Sequence, residues 1–367
     1  MVDINGYEIK SAFSGGEPLK AIYSLGEKVW PVSGPISFGG LKFTALENGT
    51  IGMTHNGTNE TTTKPYISYS KDGINWIEWD YTNIPVDAGD FVYFKGNNDS
   101  ICRSLNDYST FTSTGKISAS GNIMSLLYGD DFEGKLDLSD KNCCFYRLFY
   151  NCKSLTNAPE LPATTLSNSC YRQIFDGCTK LTTAPELPAT KLAFVCYGSM
   201  FQGCTSLTTA PELPATTLSV ICYQNMFYGC TSLTTAPELP ATTLVDGCYH
   251  SMFKNCTSLT TAPELPATEL ISNCYIGMFE GCTSLVNAPE LPATELAGDC
   301  YSYMFYGCTN LNYVKANFTT TPSNDYTSYW LARVDSTGTF VANPSATWTT
   351  TISRNESTVP AGWTIQK

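Results

Sequence analysis

The sequence predicts a mostly β protein with short helical turns. N-terminal β modules are followed by a solenoid of 26-residue coils and a β-rich C-terminal cap. Three observations carry this. A cysteine recurs at Cys144, Cys170, Cys196, Cys222, Cys248, Cys274 and Cys300, and a second at Cys152, Cys178, Cys204, Cys230, Cys256, Cys282 and Cys308, with no residue inserted or lost. Self-similarity at one fixed period marks coils that bury an apolar face only by stacking on the next. The flanking segments are short aromatic-rich runs bounded by turn residues, the pattern of strands.

Within one unit, CYQNMFYGCTSLTTAPELPATTLVDG from Cys222 to Gly247, the apolar residues of CYxxMFxGC fall at spacings of one, three, one and three. That spacing predicts one or two helical turns facing inward. Gly203 and Gly229 end this segment, as do Asn151 and Asn255, because both residue types tolerate left-handed geometry. TSLTTAP is compatible with a strand, and the second proline of PELP forces an extended return arm. Strand, turn and short helix in one closed loop make a leucine-rich-repeat coil.

Taken in order, residues 1–34 form a first module, read as an attachment segment. Tyr7, Ile9, Ile22, Tyr23, Val29 and Trp30 are its candidate anchor side chains, since so short a segment cannot enclose a core. A strand pair packed on the next domain is the competing reading. Residues 35–140 read as a β-sandwich-like domain, in which Ser70-Lys71-Asp72-Gly73 marks a hairpin and acts as a structural turn. Residues 141–316 hold the leucine-rich-repeat solenoid. Its first unit is degenerate, with Phe145 for the repeated Tyr and Leu148 for the repeated Met, as expected where one face meets something other than a repeat. Residues 317–367 read as a cap over the last coil.

FxGCTSLTTAPELPATTL resembles the surface-antigen, BspA-like type of leucine-rich repeat found in proteins of gut bacteria and their phages. The likeness covers residues 144–314, and the flanks resemble segments that accompany such repeats in gut phage and prophage proteins. The resemblance implies adhesion and recognition without catalysis. It makes a virion surface protein, a fibre or decoration protein, the first expectation, a bacterial cell-surface adhesin the second and a structural spacer the third. The expected partners are a virion protein through the N-terminal module and a glycan or surface protein through the repeats. A homo-oligomer fits as well. The expected location is the virion surface, with the bacterial cell surface as the alternative.

Composition narrows the function further. A net charge of -12 offers no basic patch for nucleic acid, and no stretch approaches the length of a membrane span. The start, MVDINGYEIKSAFSGG, lacks a signal-peptide pattern, so either a leader has been removed or maturation proceeds without Sec export. No P-loop, HExxH, GxSxG or dinucleotide motif is present, and the glutamate of PELP sits in six near-copies, which no catalytic acid requires. The expectation is no enzyme, no cofactor and no metal. Cysteines eight apart without CxxC argue against zinc, and two columns of identical cysteines read as buried free thiols, with bridges within or between columns as the alternative.

Comparing units within the chain separates fixed from free positions. The residue after the repeated Phe changes from Tyr150 through Asp176, Gln202, Tyr228, Lys254 and Glu280 to Tyr306. These read as an exposed candidate ligand strip, joined by the varied triplets before each first cysteine. The nearly unvaried Thr and Glu of TTAPELPAT form a second ladder whose hydroxyls and carboxylates could match a repetitive glycan.

Overall fold

The computed structural model describes residues 38–57, 64–319, 323–346 and 358–367, together with the backbone of six short strands before residue 31. Those six pair locally and antiparallel: Val2–Ile4 (β1) with Tyr7–Ile9 (β2), Phe13–Ser14 (β3) with Glu17–Pro18 (β4), and Ile22–Ser24 (β5) with Glu27–Trp30 (β6). The candidate anchors Tyr7, Ile9, Ile22, Tyr23, Val29 and Trp30 lie on these strands, and their side chains lie outside the described residues.

Eight further strands build two sheets. Lys42–Ala45 (β7), Ile67–Ser70 (β9), Ile77–Glu78 (β10), Phe91–Gly96 (β12) and Ile117–Ser120 (β14) form a five-stranded sheet in the order β10-β9-β12-β7-β14. Gly49–Asn56 (β8), Ile84–Val86 (β11) and Tyr108–Ser113 (β13) form a three-stranded sheet in the order β11-β8-β13. Alternating inward residues from both sheets meet in an aromatic core. Phe43, Phe94 and Phe111 are fully buried, with ring centroids 4.9–5.1 Å apart. At the β9–β10 turn the Asp72 carboxylate accepts from the amides of Ile74 and Asn75 and from Ser70 Oγ, which holds its pKa well below the usual range. It is a structural turn.

This core does not close before the repeats begin. Phe149 of the first coil stacks on Phe111 at 5.6 Å, and the amides of Ile117 and Ala119 donate to Ser154 and Asn157. The free edge of β14 is thereby covered by the first coil, which removes a strand edge otherwise open to association. One continuous hydrophobic cluster runs from Leu41 to Trp363. The boundary expected at residue 140 is a change of backbone geometry inside a shared core.

The CYxxMFxGC segment is not helical, which corrects the expected helical turns. Helix is confined, among the described residues, to Ser125–Tyr128 (α1), a 3-10 turn at Gly129–Asp131 and Asn324–Thr327 (α2). The repeated segment is instead a run of tight turns. Gly198, Met200 and Gln202 donate backbone N–H to Val195, Tyr197 and Ser199 three residues back. The alternate amides of Tyr197, Ser199, Phe201 and Gly203 donate to Cys222, Gln224, Met226 and Tyr228 of the next coil at 2.7–3.1 Å. Every fourth residue, as at Val195, Ser199 and Gly203, has positive φ. The result is a four-residue period that turns two residues in and two out. A helix would keep all its amides to itself; here half of them tie coil to coil.

The interior columns follow from that period. Phe149, Phe175, Phe201, Phe227, Phe253, Phe279 and Phe305 stack with centroids 5.5–5.7 Å apart, and Tyr171 to Tyr301 stack at 5.7–6.2 Å. All sixteen cysteines are free thiols, and every one but Cys143 is buried. The second column has a specific role: Cys178, Cys204, Cys230, Cys256, Cys282 and Cys308 each donate S–H to the carbonyl of the preceding coil's Phe at 3.0–3.2 Å. Burial pushes these thiols up in pKa, Cys256 and Cys308 to about 12. TSLTTAP contributes single parallel bridges such as Thr183↔Thr209 and Thr235↔Thr261, short of a full strand.

The expected cap continues the coil geometry. Tyr313–Ala316 (β15), Gly338–Ala342 (β16) and Trp363–Gln366 (β17) form a parallel sheet with partners 26 and then 25 residues apart. Tyr301, Tyr303, Phe305 and Gly307 donate to Tyr326, Ser328, Trp330 and Ala332, so Trp330 occupies the place of the repeated Met and buried Leu331 that of the repeated Phe. The described residues of the tail continue the coils without cysteine.

Candidate functional site

The residue after each repeated Phe sits between a buried ring and a residue of positive φ. Gly177, Gly203, Gly229, Gly281 and Gly307 have φ of 70–77°, and Asn151 and Asn255 have φ of 55° and 60°. Gly177 and Gly281 also make room for the coil before, since a Cβ at either would force the Oδ1 of Asn151 or Asn255 to shift. The carbonyls of the strip residues lock the stack. Asp176, Gln202, Tyr228, Lys254, Glu280 and Tyr306 each accept from the amide that follows the equivalent position one coil earlier, at 2.6–2.8 Å. Their side chains therefore emerge in a single column, one per coil.

That column is half-buried, which corrects the expectation of exposed positions. Asp176 is only 7% exposed, and burial raises its pKa to about 6 although Gln173 Nε2 donates to it at 2.7 Å. Lys254 and Glu280 pair at 2.8 Å, Lys254 also lies over the Tyr228 ring, and Asn255 Nδ2 donates to Tyr228 Oη. The stacking that places neighbours within reach also shields them, so the strip is a cross-linked row of aromatic and polar groups.

Aromatic clusters flank both ends of the row, and inspection of one sequence position at a time missed them. At the first coil the Arg147 guanidinium contacts the rings of Tyr108, Tyr146 and Tyr150 at 4.4–5.1 Å and donates to Tyr108 Oη and Gln173 Oε1. At the last, Tyr303 stacks on Tyr329, and Arg333 lies 5.1 Å from Tyr306. Tyr108 arrives from β13 and Tyr329 from the tail, so only the fold joins them to the repeats. Of the varied triplets, Phe194, Val220 and Ile271 are exposed, whereas Ser167 and Ser169 are buried.

A second repeated feature lies between the PELP arms. Cavities of about 510, 410 and 570 Å³ separate the arms at Pro159 and Pro185, at Pro185 and Pro211, and at Pro263 and Pro289. Each is walled by paired prolines and carries the arm glutamates, all six of which (Glu160, Glu186, Glu212, Glu238, Glu264 and Glu290) are exposed.

His55 stands in a polar cluster the sequence did not reveal, with Ser109 Oγ at 3.0 Å from Nδ1 and Asp107 at 3.5 Å from Nε2. Ser109 is wholly buried, so its hydroxyl offers nothing to a substrate. Among the described residues there is no group of three or more His, Cys, Asp or Glu side chains able to hold a metal, and no helix long and apolar enough to cross a membrane.

Comparison with known proteins gives one assignment. No curated protein and no solved structure shows significant similarity to the chain. The family model described as the BspA type leucine rich repeat region matches in six copies over residues 145–260 and 196–331, together more than half of the chain. Those bounds take in the coils of the turn ladder and the first part of the tail, and the chain belongs to the BspA-type leucine-rich-repeat family.

Proposed function

We propose that this is a non-enzymatic virion surface protein, a fibre or decoration protein, whose repeat array adheres to a glycan or protein on a host or mucosal surface. The observation that carries the adhesion reading is the strip. Side chains that differ from coil to coil, Tyr228, Lys254, Glu280 and Tyr306 among them, are held in one row by an invariant backbone ladder. A scaffold that fixes position while letting chemistry vary is what a composite binding face requires. Aromatic clusters at both ends supply the flat apolar surfaces on which sugar rings stack, and the BspA-type repeat supports a surface setting. The virion placement draws on the flanking segments and on the three strand pairs of residues 1–30, which suit an attachment module. A bacterial cell-surface adhesin is the second reading, favoured by the same repeat type.

Two experiments test this. The full chain is applied to an array of host and mucin glycans beside a Tyr228→Ala, Lys254→Ala variant with an unchanged melting temperature. Binding lost in the variant is expected; equal binding by both removes the strip. Deleting residues 1–34 is expected to abolish incorporation into particles while the remainder stays folded. Normal loading of the truncated chain shifts the reading to the cell surface.

A further inference from the structure

We propose that a cationic cleft between the β modules and the first two coils binds a terminal acidic sugar, one bearing a carboxylate or a sulfate ester. The proposal rests on the adhesion reading for its class of ligand and places a site for it apart from the strip. The cleft lies between residues 112–116 and the residues that follow Cys152 and Cys178, with a volume of about 480 Å³. Clefts that take small molecules span about 300–1,000 Å³. Lys116, Lys153 and Lys180 line it, and Glu47 is the one carboxylate among its lining residues. Glu47 is already paired with Lys116 at 2.6 Å, whereas the exposed Lys153 and Lys180 have no ion-pair partner among the described residues.

These two lysines break an otherwise uniform repeat. The residue after the second cysteine is Lys153 in the first coil and threonine in every later one. The residue after that is Lys180 in the second coil, Asn310 in the last and serine in the others. The departures fall in different coils and at different repeat positions, yet both side chains line the same cleft. Lysine at 180 also removes a hydroxyl with a structural use: its counterpart Ser206 donates to the Thr179 carbonyl of the coil before at 2.7 Å. Charge then sets the ligand class. In a chain of net charge -12, two ammonium groups without carboxylate partners form a local positive field that selects an anion. A long polyanion would run onto the rest of an acidic chain and be repelled, so the charge belongs to a single residue. Thr112, Asn151 and Ser154 complete the lining with hydroxyl and amide groups that match sugar hydroxyls and that an inorganic anion would leave unused.

Isothermal titration of the full chain at low salt, where exposed charges are least screened, tests the site. The probes are sialyllactose, sulfated lactose, lactose and sodium phosphate. One or both acidic sugars are expected to bind, and the stronger of the two tells carboxylate from sulfate. Lactose and phosphate are expected to bind at least about tenfold more weakly. Lys153→Thr with Lys180→Ser restores the residues that the other coils carry, so the melting temperature should hold while acidic-sugar affinity falls about tenfold or more. The Tyr228→Ala, Lys254→Ala variant is expected to bind the acidic sugar as the unaltered chain does. Loss of binding in that variant, with retention in the lysine variant, would move acidic-sugar binding to the strip; it would overturn this site and leave the adhesion reading standing. No binding of either acidic sugar, lactose or phosphate bound as tightly, or indifference to the lysine substitutions would also overturn the proposal.

Discussion

Phe227→Ala probes the stacking directly. The Phe227 ring is fully buried and lies between Phe201 at 5.6 Å and Phe253 at 5.5 Å, nearly parallel to both. Removing a buried Phe side chain costs about 3–5 kcal/mol through lost transfer energy and the cavity left behind. Two stacked neighbours worth about 0.5–1.5 kcal/mol each beyond area burial place this site in the upper half of that range. The backbone bonds do not depend on the ring, since the Phe227 carbonyl still accepts from Cys230 N–H and from Cys256 Sγ. Damage should therefore centre on the adjacent coils, as nearest-neighbour coupling requires. Urea unfolding gives the loss in stability, and hydrogen exchange locates it. Faster exchange is expected at Phe201, Gly203 and Phe227, whose amides bridge coils, with little change near Cys152. A loss below about 1 kcal/mol, or unchanged exchange between Cys204 and Cys256, would refute the stacking argument.

Three further substitutions read other parts of the structure. Tyr197→Phe removes a buried hydroxyl without a hydrogen-bond partner among the described residues, so it should leave stability unchanged or raise it by about 1 kcal/mol in urea unfolding; a loss of that size would show that the hydroxyl is bonded. Asp176 has its folded pKa raised by burial to about 6, so the stability it contributes is present at low pH and lost as pH rises from its unfolded value through 6. Asp176→Asn should make the protein more stable at pH 7 and flatten the pH dependence of unfolding between pH 4 and 6, and an unaltered profile would contradict the assigned burial. Gly177→Ala should cost about 1–3 kcal/mol, because φ there is +77° and the new Cβ meets Asn151 Oδ1. Repeating it in an Asn151→Gly background should recover part of the loss, and strict additivity would mean the two coils do not touch at this point.

The repeat was legible because duplication left its signature in every unit, and the thiol columns followed from spacing alone. The local geometry of CYxxMFxGC was not. Over nine residues, periods of 3.6 and 4.0 put the same Cys, Tyr, Met, Phe and Cys on one face. What separates helix from turn ladder is the destination of amides such as Tyr197 and Phe201, a bond to a residue twenty-five positions away. The tail was hidden for a related reason. Its coils substitute Trp330 for Met and Leu331 for Phe and shorten one register from 26 to 25, so no identity repeats. Variation along the strip suggested exposure because free positions are usually surface positions. Stacking overrode that rule by placing Lys254 against Glu280 and Asp176 beneath its neighbours. Tyr108 and Tyr329 lie outside the repeats and join the strip only through the fold.

A thiol count by mass spectrometry tests the stacked architecture most directly, because the two cysteine columns run through the interior of all seven repeat coils, from Cys144 to Cys308. Fifteen of the sixteen cysteines are buried, and burial holds the thiols in the protonated, unreactive form, with Cys170 and Cys222 raised to about 12. The folded chain is treated with iodoacetamide at pH 8 without reductant, and a second sample is treated in denaturant. The account predicts one label in the native protein, at half-buried Cys143, and sixteen in the denatured protein. Rapid native labelling within the columns, or denatured protein in which most cysteines are locked in bridges, would contradict it.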